Sequence, residues 1–92
     1  MKITAYADAG AWKTGKLVKT SAAEIQKKLG FKPNIKDDED KVVNSWGFKA
    51  DSKFPCAIWD YKGSHLGGEF STFGPDAVFI ELFGDRYIKI GS

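Results

Sequence analysis

The chain carries one histidine, His65, and one cysteine, Cys56. A histidine performs acid–base or nucleophilic chemistry only when one group orients it and a proton or nucleophile lies in reach. Ser64 is adjacent to His65, and Asp60 and Glu69 are near in sequence. Neighbours in sequence need not face one another, so His65 reads first as a polar loop residue. A small enzyme built on His65 and an acidic neighbour is a lesser reading, and it requires a cleft at Gly63–Gly68 with a carboxylate beside the ring. Cys56 lies within the apolar stretch FPCAIWDY (54–61) and reads as an inert buried thiol. A single cysteine allows neither an internal disulfide nor a cysteine-based zinc site.

Two further patterns imitate sites. Gly10-Ala11-Trp12-Lys13-Thr14-Gly15-Lys16-Leu17 has the spacing of a phosphate-binding loop except at its end. That loop needs a hydroxyl after the lysine to reach magnesium, and a helix to follow. Leu17 supplies no hydroxyl, and the residues after Lys16 look extended. Ala57-Ile58-Trp59-Asp60 resembles the second half of such a site, but a parallel nucleotide-binding domain does not fit in 92 residues. The segment therefore reads as a glycine-bounded turn. The acidic run Asp37-Asp38-Glu39-Asp40 lacks the glycine and the distal glutamate of a calcium loop, and reads as a solvated linker. No cofactor and no metal are expected, and the chain reads as non-enzymatic.

What stands out is the aromatic content, 14% of the chain. Trp46, Phe48, Phe54, Trp59, Tyr61, Phe70 and Phe73 cluster in one half, and so small a core does not obviously hold them all. Trp59 and Tyr61 alternate on one strand face, with Lys62 next and Lys49 and Lys53 on the neighbouring segment. If that face points away from the helices, Trp59 and Tyr61 anchor a partner, with Lys49 and Lys62 at the rim. Trp12, in its glycine-bounded loop, is the other aromatic expected to be partly exposed. A protein partner fits best. Single-stranded nucleic acid is the alternative, since aromatics and lysines also stack bases and hold phosphates. The formal net charge of +2 argues against it.

The elements that must position these residues follow from pattern. KITAYA (2–7) alternates as a strand, and KLVK (16–19) reads as a short strand pairing back on it. Ser21 with Glu24 forms a capping box ahead of Ala22, Ile25 and Leu29 on one helical face, and Gly30 and Pro33 end the helix. NIKDDEDK (34–41) is a polar linker. VVNSWGFKA (42–50) and FPCAIWDY (54–61) form an antiparallel hairpin around Asp51-Ser52-Lys53. Both faces of the second strand are apolar, so it belongs in the middle of the sheet. GSHLGG (63–68) is a loop and EFSTF (69–73) a strand. Pro75 and Asp76 open a second helix with a stripe of Val78, Phe79, Leu82 and Phe83, stopped by Gly84. RYIKI (86–90) is a last edge strand. The expectation is one α+β domain over residues 1–92: a mainly antiparallel sheet of about four to five strands with two helices on one face.

No apolar run approaches the roughly 20 residues of a membrane helix, and Met1–Asp8 shows no secretory signature, so a cytoplasmic protein is expected. Edge strands at Lys2–Ala7 or Arg86–Ile90 could pair copies into a homo-oligomer. Val43-Asn44-Ser45-Trp46-Gly47-Phe48, together with Cys56–Gly63 and Ser71-Thr72-Phe73-Gly74-Pro75, resembles small proteins of unknown function encoded by tailed bacteriophages. The similarity runs from about Ser21 to Gly84 and is strongest at the hairpin. It implies a protein at work in an infected bacterial cell, and it favours an accessory module that binds a host or defence macromolecule. It carries no activity or site residue over.

Overall fold

The structure, a computed structural model, describes residues 1–7, 12–35, 42–61 and 63–90. The acidic run 37–40, Lys62, and Gly10 and Ala11 of the phosphate-loop-like segment lie outside the described residues. In chain order the elements are β1 (Ile3–Ala5), β2 (Gly15–Leu17), α1 (Ala22–Leu29), β3 (Val42–Ala50), β4 (Phe54–Tyr61), β5 (Phe70–Phe73), α2 (Asp76–Phe83) and β6 (Tyr87–Lys89). Single 3-10 turns occupy Ser64–Gly67 and Gly84–Arg86. The fold is α+β.

Both helices begin and end where their capping chemistry dictates. Ser21 Oγ accepts the Glu24 N–H at 3.2 Å, which satisfies one of the free first-turn donors. Gly30 closes α1 with φ of 91°, a left-handed conformation that other residues adopt only at a cost. Pro75 precedes α2, and Asp76 sits in its first turn. Ile25 and Leu29 of α1 and Val78, Phe79 and Phe83 of α2 are buried, and all five join one core cluster with residues of the sheet.

The six strands form one antiparallel sheet in the order β1-β3-β4-β5-β2-β6. Residues directly opposite in antiparallel strands share a face, so the register sorts the side chains. Trp46 opposite Ile58, Phe48 opposite Cys56, and Phe70 opposite Leu17 opposite Tyr87 all belong to the helix-covered core. Phe48 meets Phe79 edge-on at 6.2 Å, and Trp46 meets Phe70 edge-on at 6.1 Å. Pro55, Ala57, Trp59, Ser71, Phe73, Lys16 and Lys49 belong to the opposite, helix-free face.

The sheet departs from expectation in two ways. It has six strands, because both short end segments pair. KLVK does not pair back on the first strand: β2 lies between β5 and β6, at the far side of the sheet from β1. Leu17 is fully buried because it is flanked on both sides, by Phe70 and by Tyr87. A hairpin with edge strand β1 would have denied it one of those neighbours. The first strand is also shorter than the pattern 2–7. Beyond Ala5 only the Tyr6 N–H reaches β3, at Gly47 O, and the edge is continued by Asn34 and Ile35, whose N–H groups both donate to Ser45 O. The Asn34 side chain bonds the Gly47 backbone at both its N–H and its C=O, so the start of the polar linker is tied to the sheet.

Candidate functional site

The aromatics divide between core and surface. Trp46, Phe48 and Phe70 are buried, Trp59 and Phe73 are half-buried, and Phe54 and Tyr61 are exposed. Trp12 is 65% exposed, as its glycine-bounded loop suggested. Its ring meets Phe73 edge-on, with centroids 4.8 Å apart. Thr14 fixes this approach. Its Oγ1 donates to Gly74 O at 3.2 Å and accepts the Gly74 N–H at 3.1 Å, joining the Trp12 loop to the end of β5. Gly74 must be glycine, because its φ is 135° and a Cβ there would stand 2.7 Å from Cys56 Sγ.

The result is a groove of about 310 Å³ bounded by Trp12, Thr14, Phe54, Pro55, Phe73, Gly74 and Pro75. Its lining is almost wholly apolar. Exposed Lys13 and Lys53 are the chain neighbours of Trp12 and Phe54. Asp76, the neighbour of Pro75, is engaged by Lys89 Nζ at 3.4 Å and by the Tyr87 hydroxyl. The Tyr87 hydrogen bond is the main influence holding the Asp76 carboxyl below its usual range, and Lys89 adds to it. Burial, and then Asp76 itself, pushes the Tyr87 phenol up.

The residues expected to form one contact patch are not all together. Trp59 and Tyr61 do share the helix-free face, and Lys49 shares it too. Yet Trp59 is opposite Ser45 whereas Lys49 is opposite Pro55, about 13 Å further along the hairpin by strand rise. Lys49 Nζ sits 4.2 Å from the Tyr6 ring centroid, a cation–π contact within the fold. Of the expected residues only Trp12 lines the groove. Phe54, Pro55, Phe73 and Pro75 join it without a local sequence signal, because the approach of residues 12–14 to 73–75 spans some 60 positions.

At the opposite end of β4 a second arrangement forms. Ser45 pairs with Trp59 and Val42 with Tyr61, so β3 carries one residue more than β4 between these pairs. This is a β-bulge opposite Asp60. Asp60 is completely buried. Its Oδ1 accepts the Asn44 N–H at 2.7 Å, and its Oδ2 accepts Asn44 Nδ2 at 3.2 Å. His65 Nδ1 lies 2.7 Å from the same Oδ2. The imidazole is placed by the Ser64–Gly67 turn, which runs between Gly63 (φ 77°) and Gly68 (φ 76°). That turn is pinned by Ser64 Oγ accepting the Tyr61 N–H and by Gly68 O accepting the Thr20 N–H. His65 is thus a half-buried side chain beside a carboxylate, where a free polar loop residue was expected.

Cys56 is fully buried, and desolvation pushes its thiol up to about 12. Gly15–Leu17 is strand β2, so no helix follows Lys16 and the phosphate-loop geometry is not met. No group of three or more metal-ligating side chains occurs among the described residues, and no helix among them is long and apolar enough to cross a membrane. No family model, curated protein or solved structure matches the chain.

Proposed function

We propose that the protein is a small binding module that captures an extended segment of a protein partner in the Trp12–Phe73 groove. The observation that supports this reading is the groove itself. Three aromatic rings and two prolines line a surface cleft while the core is complete without them. A tryptophan left 65% exposed contributes less to the fold than a buried one, and aromatic anchors of this kind dominate binding energies. The segment is apolar where it enters the groove and acidic at its flank, to match Lys13 and Lys53. Resting on the phage resemblance, the proposed partner is a host or defence protein of a bacterial cell, and the proposed location is the cytoplasm.

Selection of a displayed random peptide library on the immobilised protein tests this reading. Apolar peptides with acidic flanks are expected, and Trp12→Ala should weaken each at least tenfold, a loss of about 1.4 kcal/mol. Selected peptides that bind the Trp12→Ala protein equally well would refute the groove. Single-stranded nucleic acid is a second reading, favoured by one observation: the exposed Trp12 ring beside Lys13. It predicts binding of a fluorescent oligothymidylate that weakens steeply from 50 to 200 mM salt. Oligothymidylate binding lost in Trp12→Ala would replace the peptide reading.

A further inference from the structure

We propose that Asp60 and His65 form a dyad that presents His65 Nε2 as a nucleophile toward small activated esters of apolar acyl groups. This reaches beyond binding and does not depend on the groove. Three observations carry it. First, the carboxylate is built in. Asp60 is fully buried at the end of a central strand, and both its oxygens are held by Asn44 across the bulge. A buried carboxylate with fixed oxygens is a rigid reference for whatever it touches. Bulges of this kind commonly re-aim side chains beside active sites.

Second, the contact sets the charge beside the ring. Nδ1 and Oδ2 are 2.7 Å apart. In the dyad the carboxylate holds the proton on Nδ1, which leaves the lone pair of a neutral ring on Nε2. The ring N–H is not in line with Oδ2, so the contact acts through charge and proximity. Such misalignment is common in sites without a bound substrate. Third, the ring is not closed off: Nδ1 is buried, while the side chain as a whole is 26% exposed. The same turn carries Leu66, 85% exposed, an apolar surface suited to an acyl chain.

The chemistry balances with water as the only co-reactant. Nε2 attacks the ester carbonyl carbon, an N–C bond forms, and the C–O bond breaks to release the alkoxide or phenolate. The acyl-imidazolium keeps its Nδ1 proton, and its positive charge faces the Asp60 carboxylate. Water then attacks the same carbon, one of its protons passes to the released alkoxide or phenolate (or to solvent), the N–C bond breaks, and the free acid and neutral imidazole are restored.

The test is the hydrolysis of p-nitrophenyl butyrate at pH 7.5, followed by nitrophenolate release. His65→Gln gives the background from lysines. The wild-type rate above that background should exceed the rate of N-acetylhistidine methylamide at least tenfold. Asp60→Asn should lower it tenfold or more, the usual cost of losing a group that orients a histidine. A wild-type rate equal to that of the model compound, or one unchanged in Asp60→Asn, overturns the proposal. Because Asp60 is buried and its variant can fail to fold, nitrogen NMR of the wild-type imidazole supplies a second reading. Protonated Nδ1 with a bare Nε2 is expected, and the opposite tautomer overturns the dyad.

Discussion

Trp12 and Trp46 belong to one residue type in two environments, and their truncation to alanine separates a binding surface from a core. Trp46 is completely buried, and its Nε1–H donates to Phe31 O at 3.1 Å. Trp46→Ala removes that bond, opens a cavity beside Phe70, and should cost about 3–5 kcal/mol. A 92-residue domain has roughly 5–14 kcal/mol of stability in all, so this variant is expected to be barely folded. Trp12 withdraws only about a third of its surface from water. A tryptophan buries up to roughly 250 Å², so about 90 Å² is involved. At ~25 cal/mol/Å² that is about 2 kcal/mol, an upper figure because unfolded chains already bury part of such surface. The Trp12→Ala urea midpoint, read by far-ultraviolet circular dichroism, should therefore fall by at most about half the shift of Trp46→Ala, with an unchanged slope. Trp46→Ala should lie far below both. A Trp12→Ala loss as large as that of Trp46→Ala would mean that the 12–14 loop is part of the core, and the argument that its aromatic surface is reserved for a partner would fail.

Gly47→Ala should loosen the β1 edge. A Cβ at Gly47 would lie 2.3 Å from Tyr6 O and 2.8 Å from Ile35 Cδ1, and backbone cannot move aside cheaply. A cost of about 1–3 kcal/mol and faster amide exchange at Tyr6 are expected, and wild-type exchange would contradict the packing. Cys56, with its thiol pushed up to about 12, should resist iodoacetamide at pH 8 in the native protein and react in urea; rapid native alkylation would show the β4 core to be open. The Asp76–Tyr87 hydrogen bond links stability to acid. Because folding lowers the Asp76 pKa, its stabilisation is full above the unfolded value and fades as pH falls through the folded one. The stability gap between wild type and Tyr87→Phe should thus shrink on acidification from pH 6 towards pH 2, and a gap independent of pH would show that the pair does not carry it.

Much of the frame is written locally in the chain. The capping box at Ser21 and the glycine stops at Gly30 and Gly84 delimit α1 and α2, since a helix end is decided by a few adjacent residues. The alternation of Trp46, Phe48 and Ala50 and the two apolar faces of Cys56–Trp59 place β3 and β4 together and β4 inside the sheet. The position of β2 is different. Chain neighbours usually pair, and nothing in KLVK says that its partners are Phe70 and Tyr87, more than 50 residues away. The sites are hidden for the same reason. Trp12 and Phe73 meet because Thr14 and Gly74 exchange hydrogen bonds, and neither residue signals this in sequence. Asp60 and His65 are five apart, close enough to be suspected. Their contact nevertheless depends on a bulge in β3 and on a turn set by Gly63 and Gly68. Conversely, Lys49 and Trp59 do share a face, but a shared face does not make neighbours when three residues of strand intervene.

The groove and the dyad occupy the two ends of β4. Pro55 and Asp60 are five residues apart, about 17 Å by strand rise, and an odd separation puts them on opposite faces of the sheet. Pro55 faces the helix-free side, and Asp60 faces the core side with Cys56 and Ile58. Sites so separated act additively. His65→Gln should therefore leave peptide affinity unchanged, Trp12→Ala should leave ester hydrolysis unchanged, and saturating peptide should not alter the hydrolysis rate. Titration of a selected peptide into the p-nitrophenyl butyrate assay checks all three with the two variants. A rate that changes with peptide in the wild type but not in Trp12→Ala would show that β4 transmits binding at one end to the imidazole at the other. Groove and dyad would then be two parts of one site rather than two sites on one strand.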